Sequence, residues 1–457
     1  MTMGNRTMKN RAMTARHLEQ AGSTLILLLF FLLAGAGLLL ERAGAHLSAY
    51  PRDRATAAAL ALARDALMGY ATGAEISISG TLGSAKRPGD LPCPDMDDDG
   101  RGENASGCGN GTGSTGQHLR LGRLPWRDLG LPDLRDGSGE RLWYAVSSRF
   151  KLRTRNGTVL NTDTPGTITL RDALGQTVLD GAADGAVAVI IAPGPPLTRP
   201  TSVSDSTPYR QDRAGGPLDP INYLDLALGE DNANFLDGSS GNGFIAGPVR
   251  DTTGATVAND RLAWIAMDEL APRLERRAIA EVARCLRFYG QQNGDRYPWA
   301  AAGSLGSAGS VSYADIAGRR FGRLPDTPFD ATHASSLDMN KDLTGDCNIN
   351  SLSGWWLNWK EVIFYAVADQ HKPAPFPPVN RCGVLGFAGS TCLGLDGVAD
   401  QQFLIIAAGR RLSGQLRTTN AQKNALANYL EGANASDDNV FASASHTGGN
   451  DLLKGMP

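Results

Sequence analysis

Three aspartates at alternate positions form the clearest chemical pattern in the sequence. They lie in the run Asp95-Met96-Asp97-Asp98-Asp99-Gly100, which matches the first half of an EF-hand-type loop. Carboxylates at alternate positions can point at one centre, and glycine permits the sharp turn of a Ca²⁺ loop. The twelfth position is Ser106 rather than glutamate, so the motif is incomplete. We expect a structural Ca²⁺ site, with a solvated acidic loop as the alternative. Its predicted ligands are Asp95, Asp97, Asp99, the Arg101 carbonyl and Glu103.

The chain has six cysteines, and none lies at the short spacing that zinc sites use. Disulfides are expected if this part of the protein lies outside the cytoplasm. The short loops favour pairing Cys93 with Cys108 and Cys382 with Cys392, which leaves Cys285 for Cys347. Six free thiols are the alternative.

No catalytic motif occurs in its required context, so we predict no catalytic residues and no enzyme. The sequence contains no G-x-S-x-G, H-E-x-x-H or P-loop motif. Ser, His and Asp are present, so a hydrolase triad stays an alternative. The run Trp355-Trp356-Leu357-Asn358-Trp359 fits either buried core, which we favour, or an exposed surface for a partner or glycan.

Length and charge limit the kind of protein that must hold these residues in place. A chain of 457 residues suggests two or three domains. Its formal net charge of −3 argues against a nucleic-acid-binding protein, because such proteins usually carry a basic face.

The N-terminus combines a basic segment with an apolar run. Residues 1–22 are rich in Arg and Lys, and the run from Ser23 to Leu40 is uncharged. At about 1.5 Å per residue, this run reaches roughly 27 Å, which predicts a transmembrane helix over 23–40 with N-in, C-out topology. A signal cleaved after Ala43-Gly44-Ala45 and a plain signal anchor are the alternatives.

The junction of Gly22 with Ser23-Thr24-Leu25-Ile26 resembles the leader junction of type IV pilins and type II secretion pseudopilins. The resemblance implies cleavage between Gly22 and Ser23 by a prepilin peptidase. It also implies assembly with other pilin or pseudopilin subunits through the N-terminal helix. Most family members carry Glu at the fifth mature position, where this chain has Leu27. Tip-type pseudopilins lack that Glu, so the resemblance points to a minor or tip subunit.

The rest of the chain contains an internal duplication. A predicted helix over 52–71 echoes a second one predicted over 260–291. Gly122-Arg123-Leu124-Pro125 recurs as Gly322-Arg323-Leu324-Pro325. The apolar runs near Trp143 and Val189 recur near Phe364 and Leu404, and both read as buried strands. Asn222-Tyr223-Leu224 recurs as Asn428-Tyr429-Leu430. A degenerate acidic run, Asp338 to Asp342, is expected to be the weaker counterpart of the aspartate loop.

These observations predict an α+β protein in which a long N-terminal transmembrane helix continues into a head of two duplicated helix-plus-antiparallel-sheet modules. The expected segments are a basic leader (1–22), the transmembrane helix (23–40), a first module (41–255) and a second module (256–457). The expected location is the bacterial inner membrane, with lipid contact there and the head in the periplasm or on an extracellular filament. The predicted function is a non-catalytic minor pilin or pseudopilin of a type IV pilus or type II secretion-type filament. An envelope adhesin or glycan-binding protein and, third, a periplasmic hydrolase are the alternatives.

Overall fold

The computed structural model describes residues 51–73, 86–103, 120–152, 159–214, 218–235, 242–304, 313–326, 354–373, 380–386, 388–447 and 449–457. The chain divides into two compact units, Met1–Ala58 and Ala59–Pro457. Residues 51–58 of the first unit are described, and they form the start of a helix. The described residues of the second unit form a mixed α/β structure.

Two long helices each precede a four-stranded sheet. Helix α1 covers 51–73, and its residues from Ala59 to Ala71 bury an apolar stripe with steps of mostly three or four residues. Helix α2, Met267–Gln292, starts with Asp268 and Glu269, where acidic side chains interact favourably with the helix dipole. The short α-helices are α3 (Trp356–Trp359), α4 (Asn420–Lys423) and α5 (Ala444–Thr447). The 3₁₀ helices are Pro220–Asn222, Asp369–His371, Val384–Gly386, Leu426–Asn428 and Gly432–Ala435.

Strands fall into a first group before α2 and a second group after it. The first group is β1 (Leu121–Arg123), β2 (Trp143–Val146), β3 (Leu170–Arg171), β4 (Thr177–Leu179), β5 (Ala188–Ala192), β6 (Thr198–Ser202), β7 (Asp205–Arg210), β8 (Leu226–Ala227), β9 (Glu230–Asp231), β10 (Phe244–Ile245), β11 (Val249–Arg250), β12 (Thr256–Ala258) and β13 (Arg261–Ile265). The second group is β14 (Phe321–Arg323), β15 (Ile363–Val367), β16 (Leu393–Leu395), β17 (Val398–Gln401), β18 (Phe403–Ala407), β19 (Val440–Phe441) and β20 (Leu452–Met456).

The two four-stranded sheets have the same topology. The first has the order β1-β2-β5-β13 and the second the order β14-β15-β18-β20, and all of their pairs are antiparallel. Equivalent residues occupy the same register: Arg123 lies opposite Trp143, and Arg323 opposite Phe364. Each group also has a three-stranded sheet, β10-β3-β4 or β17-β16-β19, with one parallel and one antiparallel pair. The molecule is therefore built from two modules, each a long helix followed by the same sheet.

Both modules contribute to a single hydrophobic core. It contains α1 from Ala59 onward, α2 and side chains of both four-stranded sheets. Tyr144 and Val146 of β2 face this core, whereas Trp143 and Ala145 face a second cluster with Phe235 and Phe244. This alternation is the period of two that a strand buried on both faces produces. Because the modules share one core, we expect them to unfold together.

A buried polar contact also joins the modules. Asn358, in α3, accepts hydrogen bonds at Oδ1 from Arg87 Nη1 (2.9 Å) and from the Leu160 amide (3.0 Å). Its carbonyl accepts one from Asn161 Nδ2 at 3.1 Å. The tryptophans around it, Trp355, Trp356 and Trp359, are all buried, so the core interpretation of that run is confirmed.

The predicted transmembrane architecture requires a correction. None of the helices in the described part of the chain combines the length and the apolar surface that a membrane crossing needs. Helix α1 carries Arg52, Asp53, Arg54, Arg64 and Asp65, and charged side chains are costly in lipid. The predicted fold class is wrong in its long membrane-spanning helix, and so is the predicted single-pass, N-in, C-out location in the inner membrane. The leader and the 23–40 run themselves lie outside the described residues.

The transition between the modules also differs from the sequence-based expectation. A helix was expected from Asp260, but Arg261–Ile265 form β13, which pairs with all five residues of β5. Helix α2 begins only at Met267. Residues Leu262 to Ile265 are apolar enough to suit either element, and pairing with β5 decides between them. The first sheet therefore takes its fourth strand from beyond residue 255, where the second module was expected to begin.

Candidate functional site

The aspartate loop is fixed to the edge of the first sheet. Asp95 and Arg123 exchange backbone hydrogen bonds, with N–O distances of 3.0 and 2.7 Å. Asp98 and Gly100 have φ values of +66° and +86°, which turn the loop sharply. A Cβ on Gly100 would lie 2.6 Å from the Trp126 ring, so only glycine fits there.

Three of the predicted ligands come together in this loop. One side-chain oxygen from each of Asp95, Asp97 and Asp99 lies within 4.8 Å of the others. The Asp95 carboxylate accepts hydrogen bonds from the amides of Asp98 and Gly100, both at 2.7 Å. Burial raises the pKa of Asp95 to about 6, although these amides oppose the shift. The arrangement can hold a hard cation, since it clusters carboxylate oxygens around one centre.

Glu103, another predicted ligand, is not in this cluster. Glu103 accepts a hydrogen bond from the Met96 amide at 3.3 Å, and the Arg101 guanidinium lies 3.5 Å from Asp128. Asp98 turns away and forms an ion pair with Arg141, with 2.7 Å between Nη1 and Oδ2. The acidic run from Asp338 to Asp342 lies outside the described residues.

The duplication shows that the aspartates are specific to the first module. Asp95 pairs through its backbone with Arg123. In the second module, Ala301 pairs through its backbone with Arg323 in the same way. Gly122 and Gly322 confirm this equivalence, because a Cβ on either would strike the carbonyl of Asp95 or Ala301. The second module therefore has alanine where the first has the leading aspartate of its loop.

The predicted cysteine pairs can be placed in part. Cys382 and Cys392 form a disulfide. Cys93 is disulfide-bonded, and its predicted partner Cys108 lies outside the described residues. Cys285 is buried in α2, and its predicted partner Cys347 also lies outside the described residues.

A buried arginine lies between two aromatic rings in each module. The Arg123 Cζ lies 4.4 Å from the centre of the Trp143 ring and 4.2 Å from that of Tyr223. The corresponding distances from Arg323 to Phe364 and Tyr429 are 4.0 and 4.4 Å. These cation–π contacts compensate in part for burying the guanidinium.

A second arginine contacts the tyrosine of each stack: the Arg213 Cζ lies 5.2 Å from the centre of the Tyr223 ring, and the Arg417 Cζ lies 4.4 Å from that of Tyr429. Arg213 donates to the carbonyls of Gly194 (2.6 Å), Asn222 (3.1 Å) and Tyr223 (3.1 Å). Arg417 donates to the equivalent carbonyls, Gly409, Asn428 and Tyr429. Because every donor has a backbone acceptor, these arginines hold three chain segments together.

A pair of carboxyl groups accompanies each stack, and Asp225, Asp260 and Asp451 of these pairs are buried. The Asp225 amide donates to the Asp260 carboxylate at 2.7 Å, and the Asp260 amide donates back at 3.2 Å. Glu431 and Asp451 make the same exchange at 2.9 and 3.1 Å. Burial raises the pKa of Asp225 to about 6 and that of Asp451 to about 7. Burial, reinforced by the Asp225 charge, raises the pKa of Asp260 well above its ordinary value.

A cavity of about 360 Å³ lies beside the aspartate loop in the first module. Its buried walls include Leu121, Arg123, Trp143 and Phe235. Met96, Leu218, Asp219, Pro220 and Asn234 line it closer to the surface. A cavity of this size and mixed lining suits one small molecule.

Comparisons of the chain with protein-family models, with curated proteins and with solved structures find no match.

The arginine stacks and carboxyl pairs were missed by the sequence analysis. A signal for them exists: Gln211-x-Arg213 recurs as Gln415-x-Arg417, shortly before the repeated Asn-Tyr-Leu. Asn259-Asp260 likewise recurs as Asn450-Asp451. These two short repeats can be recognised only when the sequences of the two modules are aligned on their longer matches.

Proposed function

We propose that the protein is a non-catalytic structural subunit of the pilin or pseudopilin class, of the minor or tip type. In this proposal it assembles with other pilin-like subunits, and a prepilin peptidase cleaves it between Gly22 and Ser23. The observation that carries the proposal is the repeated module, in which a long amphipathic helix precedes and packs with a four-stranded antiparallel sheet. An amphipathic helix packed on a sheet is the head architecture that the resemblance at Gly22 implies.

The polar groups of the repeated sites also favour a structural role. Arg213, Arg417 and the carboxyl pairs common to both modules form hydrogen bonds with backbone groups, so they stabilise the contacts between chain segments. His371 is the histidine whose side chain lies in the described part of the chain. Its Nδ1 contacts the Asp295 carbonyl at 2.7 Å, and its Nε2 accepts from the Cys382 amide at 3.1 Å. Neither nitrogen is left to act as a general base, so His371 gives no support to a hydrolase.

The tryptophan run no longer supports the adhesin alternative. Trp356 and Trp359 are fully buried, and Trp355 is nearly so. An aromatic surface for a glycan or partner protein needs accessible rings. The interpretation of this run as a binding surface is therefore not retained.

We also propose that the Asp95, Asp97 and Asp99 carboxylates hold a structural Ca²⁺ ion. The ion would neutralise charges that otherwise repel one another across 4.8 Å or less. It would fix the loop against β1 and so stabilise the edge of the first module. In this role the ion performs no chemical step.

Incorporation into a filament tests the proposed function. The protein is tagged at its C-terminus, and filaments sheared from the cells that express it are pelleted and probed by immunogold labelling. The proposal predicts tagged protein in the pellet at a small fraction of the main subunit. A Gly22→Val variant should be lost from the pellet, and a Gly44→Val control should remain. Recovery of the unmodified protein only in the supernatant would refute the proposal.

A further inference from the structure

Helix α2 carries all of its arginines on the side that does not pack into the core. They are Arg273, Arg276, Arg277, Arg284 and Arg287, and all five are at least partly exposed. At about 100° per residue, they fall within an arc of about 100° around the helix axis. At about 1.5 Å per residue, the line from the first to the last is roughly 21 Å long. These five residues form a continuous basic strip, which we call the arginine row.

Most of the charge of the arginine row is not neutralised within the described part of the chain. Glu281 lies at the edge of the row and contacts two of its members, Arg277 and Arg284. The side chains of the other three arginines form no ion pair or hydrogen bond with any residue that the structure describes. Five arginines and one glutamate leave this strip with a formal net charge of +4.

The remaining acids of α2 are not available to the arginine row. Asp268 and Glu269, in the first turn, form ion pairs with Arg410 and Arg64. Glu275 is buried, on the side of the helix that faces the core. The positive charge is therefore directed at the surroundings of the molecule.

Repulsion within the row is unfavourable for the helix on its own. Like charges three or four residues apart destabilise a helix. The row has three such pairs: Arg273–Arg276, Arg273–Arg277 and Arg284–Arg287. Helix α1 shows that a helix preceding this sheet does not need a basic face, since its exposed residues from Ala59 onward are Ala61, Leu62, Asp65, Gly69 and Gly73. An acidic partner would relieve the repulsion.

The length of the row and the charge of the rest of the chain indicate a short acidic segment as that partner. Guanidinium groups bind carboxylates through paired hydrogen bonds. An extended segment of about six or seven residues covers roughly 21 Å. Of the 44 Lys and Arg residues, 39 lie outside the row, against 47 acidic residues, so the rest of the chain has a formal net charge of −8. A nucleic-acid strand or an anionic lipid surface extends beyond the row and would meet this excess of negative charge.

Phe288 provides an apolar contact beside the row. Its side chain is 40% exposed, and it follows Arg284 by four residues, so the two lie on the same side of α2. Aromatic side chains next to arginines are typical anchors of protein interfaces. An acidic segment that ends in an apolar residue therefore matches this surface in both charge and hydrophobicity.

We propose that the arginine row and Phe288 bind a short acidic segment of a partner protein, which lies along α2. The carboxylates of the segment pair with the guanidinium groups, and an apolar side chain of the segment packs on the Phe288 ring. The proposal goes beyond the structural role, and it does not depend on filament assembly.

Binding is tested on the purified full-length chain by fluorescence anisotropy with a labelled peptide of seven glutamates followed by leucine. A peptide with seven glutamines, an oligonucleotide of seven thymidines and phosphatidylglycerol vesicles are the comparison probes. The row variant combines Arg273→Gln, Arg276→Gln and Arg287→Gln. The matched control combines Arg210→Gln, Arg250→Gln and Arg319→Gln, which removes the same charge from exposed positions on other elements.

The proposal predicts saturable binding of one glutamate peptide per chain, weakened by added salt, and no binding of the glutamine peptide. The row variant should bind the glutamate peptide about tenfold more weakly or worse, and the control variant should stay within about twofold of the unmodified protein. Phe288→Ala should weaken binding of the leucine-bearing peptide about threefold. Because the row variant removes like-charge contacts, its melting temperature should not fall, so its loss of binding is not a loss of folding.

Three results would overturn the proposal. One is the absence of saturable binding of the glutamate peptide. Another is an equal loss of affinity in the row variant and the control variant, since it would reduce the effect to net charge. The third is tighter binding of the oligonucleotide or the vesicles than of the peptide, which would assign the row to a nucleic acid or a lipid surface instead.

Discussion

The Arg417 guanidinium and the Asp163 carboxylate form an ion pair between the two modules. Arg417 Nη1 lies 3.0 Å from Oδ1 and 3.1 Å from Oδ2 of Asp163. The Arg417 side chain is 1% exposed and that of Asp163 19% exposed. Its counterpart Arg213 instead pairs with Glu140 inside the first module. Arg417 of the second module therefore has a role that Arg213 does not have, because it also links the two modules.

Removing the Asp163 charge should destabilise both modules together. Asp163→Asn leaves the buried Arg417 charge without its carboxylate, and we expect a loss of about 1–3 kcal/mol in the free energy of unfolding. Urea unfolding followed by circular dichroism measures this loss. Asp268→Asn is the control, because Asp268 pairs with Arg410 but is 81% exposed, and its loss should stay below about 1 kcal/mol. Equal effects of the two changes, or separate transitions for the two modules, would count against the inter-module pair and the shared core.

Stability should fall as the pH rises from about 4 to about 8. Burial raises the pKa of Glu275 in α2 to about 8 and that of Asp451 to about 7, although Arg410 and Arg417 lie near Glu275. The folded protein therefore binds more protons than the unfolded chain between about pH 4 and pH 8. Each such group removes up to about 1.4 kcal/mol of stability per pH unit in its window.

Thermal melts from pH 5 to pH 9 measure this dependence. We expect the melting temperature to decrease up to about pH 8, and the melting temperature of the Glu275→Gln variant to decrease less steeply. Asp268→Asn, in the first turn of α2 and 81% exposed, is the matched control and should follow the unmodified protein. A melting temperature that rises steadily to pH 9 would show that these carboxyl groups do not determine the pH dependence of stability.

Calcium should raise the melting temperature through the aspartate loop. Ca²⁺ at millimolar concentration stabilises the folded state by mass action if it binds there and not to the unfolded chain. Asp97→Asn should remove most of the effect, because Asp97 contributes one of the three clustered oxygens. Differential scanning fluorimetry with Ca²⁺ and with chelator measures the shift, and Asp65→Asn in α1 serves as a control. Identical melts in Ca²⁺ and chelator would remove the ion from this account.

Loss of the Cys382–Cys392 disulfide should destabilise the second module. The bond closes a loop with a sequence separation of 10 residues, so its removal should cost about 2–4 kcal/mol. Replacing both cysteines with alanine and measuring urea unfolding under oxidising conditions gives this cost. When both are measured under reducing conditions, the unmodified protein and the variant should become similar in stability, because Cys93 is also disulfide-bonded and reduction affects both proteins alike. A variant as stable as the oxidised protein would show that the bond contributes nothing.

The sequence predicted those features that depend on neighbouring residues. The strands around Trp143, Val189, Phe364 and Leu404 are short apolar runs, and they form β2, β5, β15 and β18. The Asp95, Asp97 and Asp99 cluster follows from alternate spacing in one turn. The disulfide of Cys382 and Cys392 follows from their proximity along the chain.

Features that depend on distant residues were not predictable in the same way. Arg123 meets Tyr223 across 100 positions, and Asp225 meets Asp260 across 35. The same difficulty explains the wrong start of the second helix, since Arg261–Ile265 become a strand only because β5 is available to pair. The structural counterpart of Asp95 is Ala301. The sequence comparison instead matched the aspartate loop to the acidic run near Asp338, because the two runs have similar composition. Tertiary pairing decides such cases, and local pattern does not.

The first residue of the mature chain tests the proposed filament subunit most directly. The protein is purified from cells that contain a prepilin peptidase, and its N-terminus is sequenced. The account predicts a mature chain that begins at Ser23, and a Gly22→Val variant that keeps its leader. A mature chain that begins at His46, or one that still begins at Met1 in the presence of the peptidase, would contradict it.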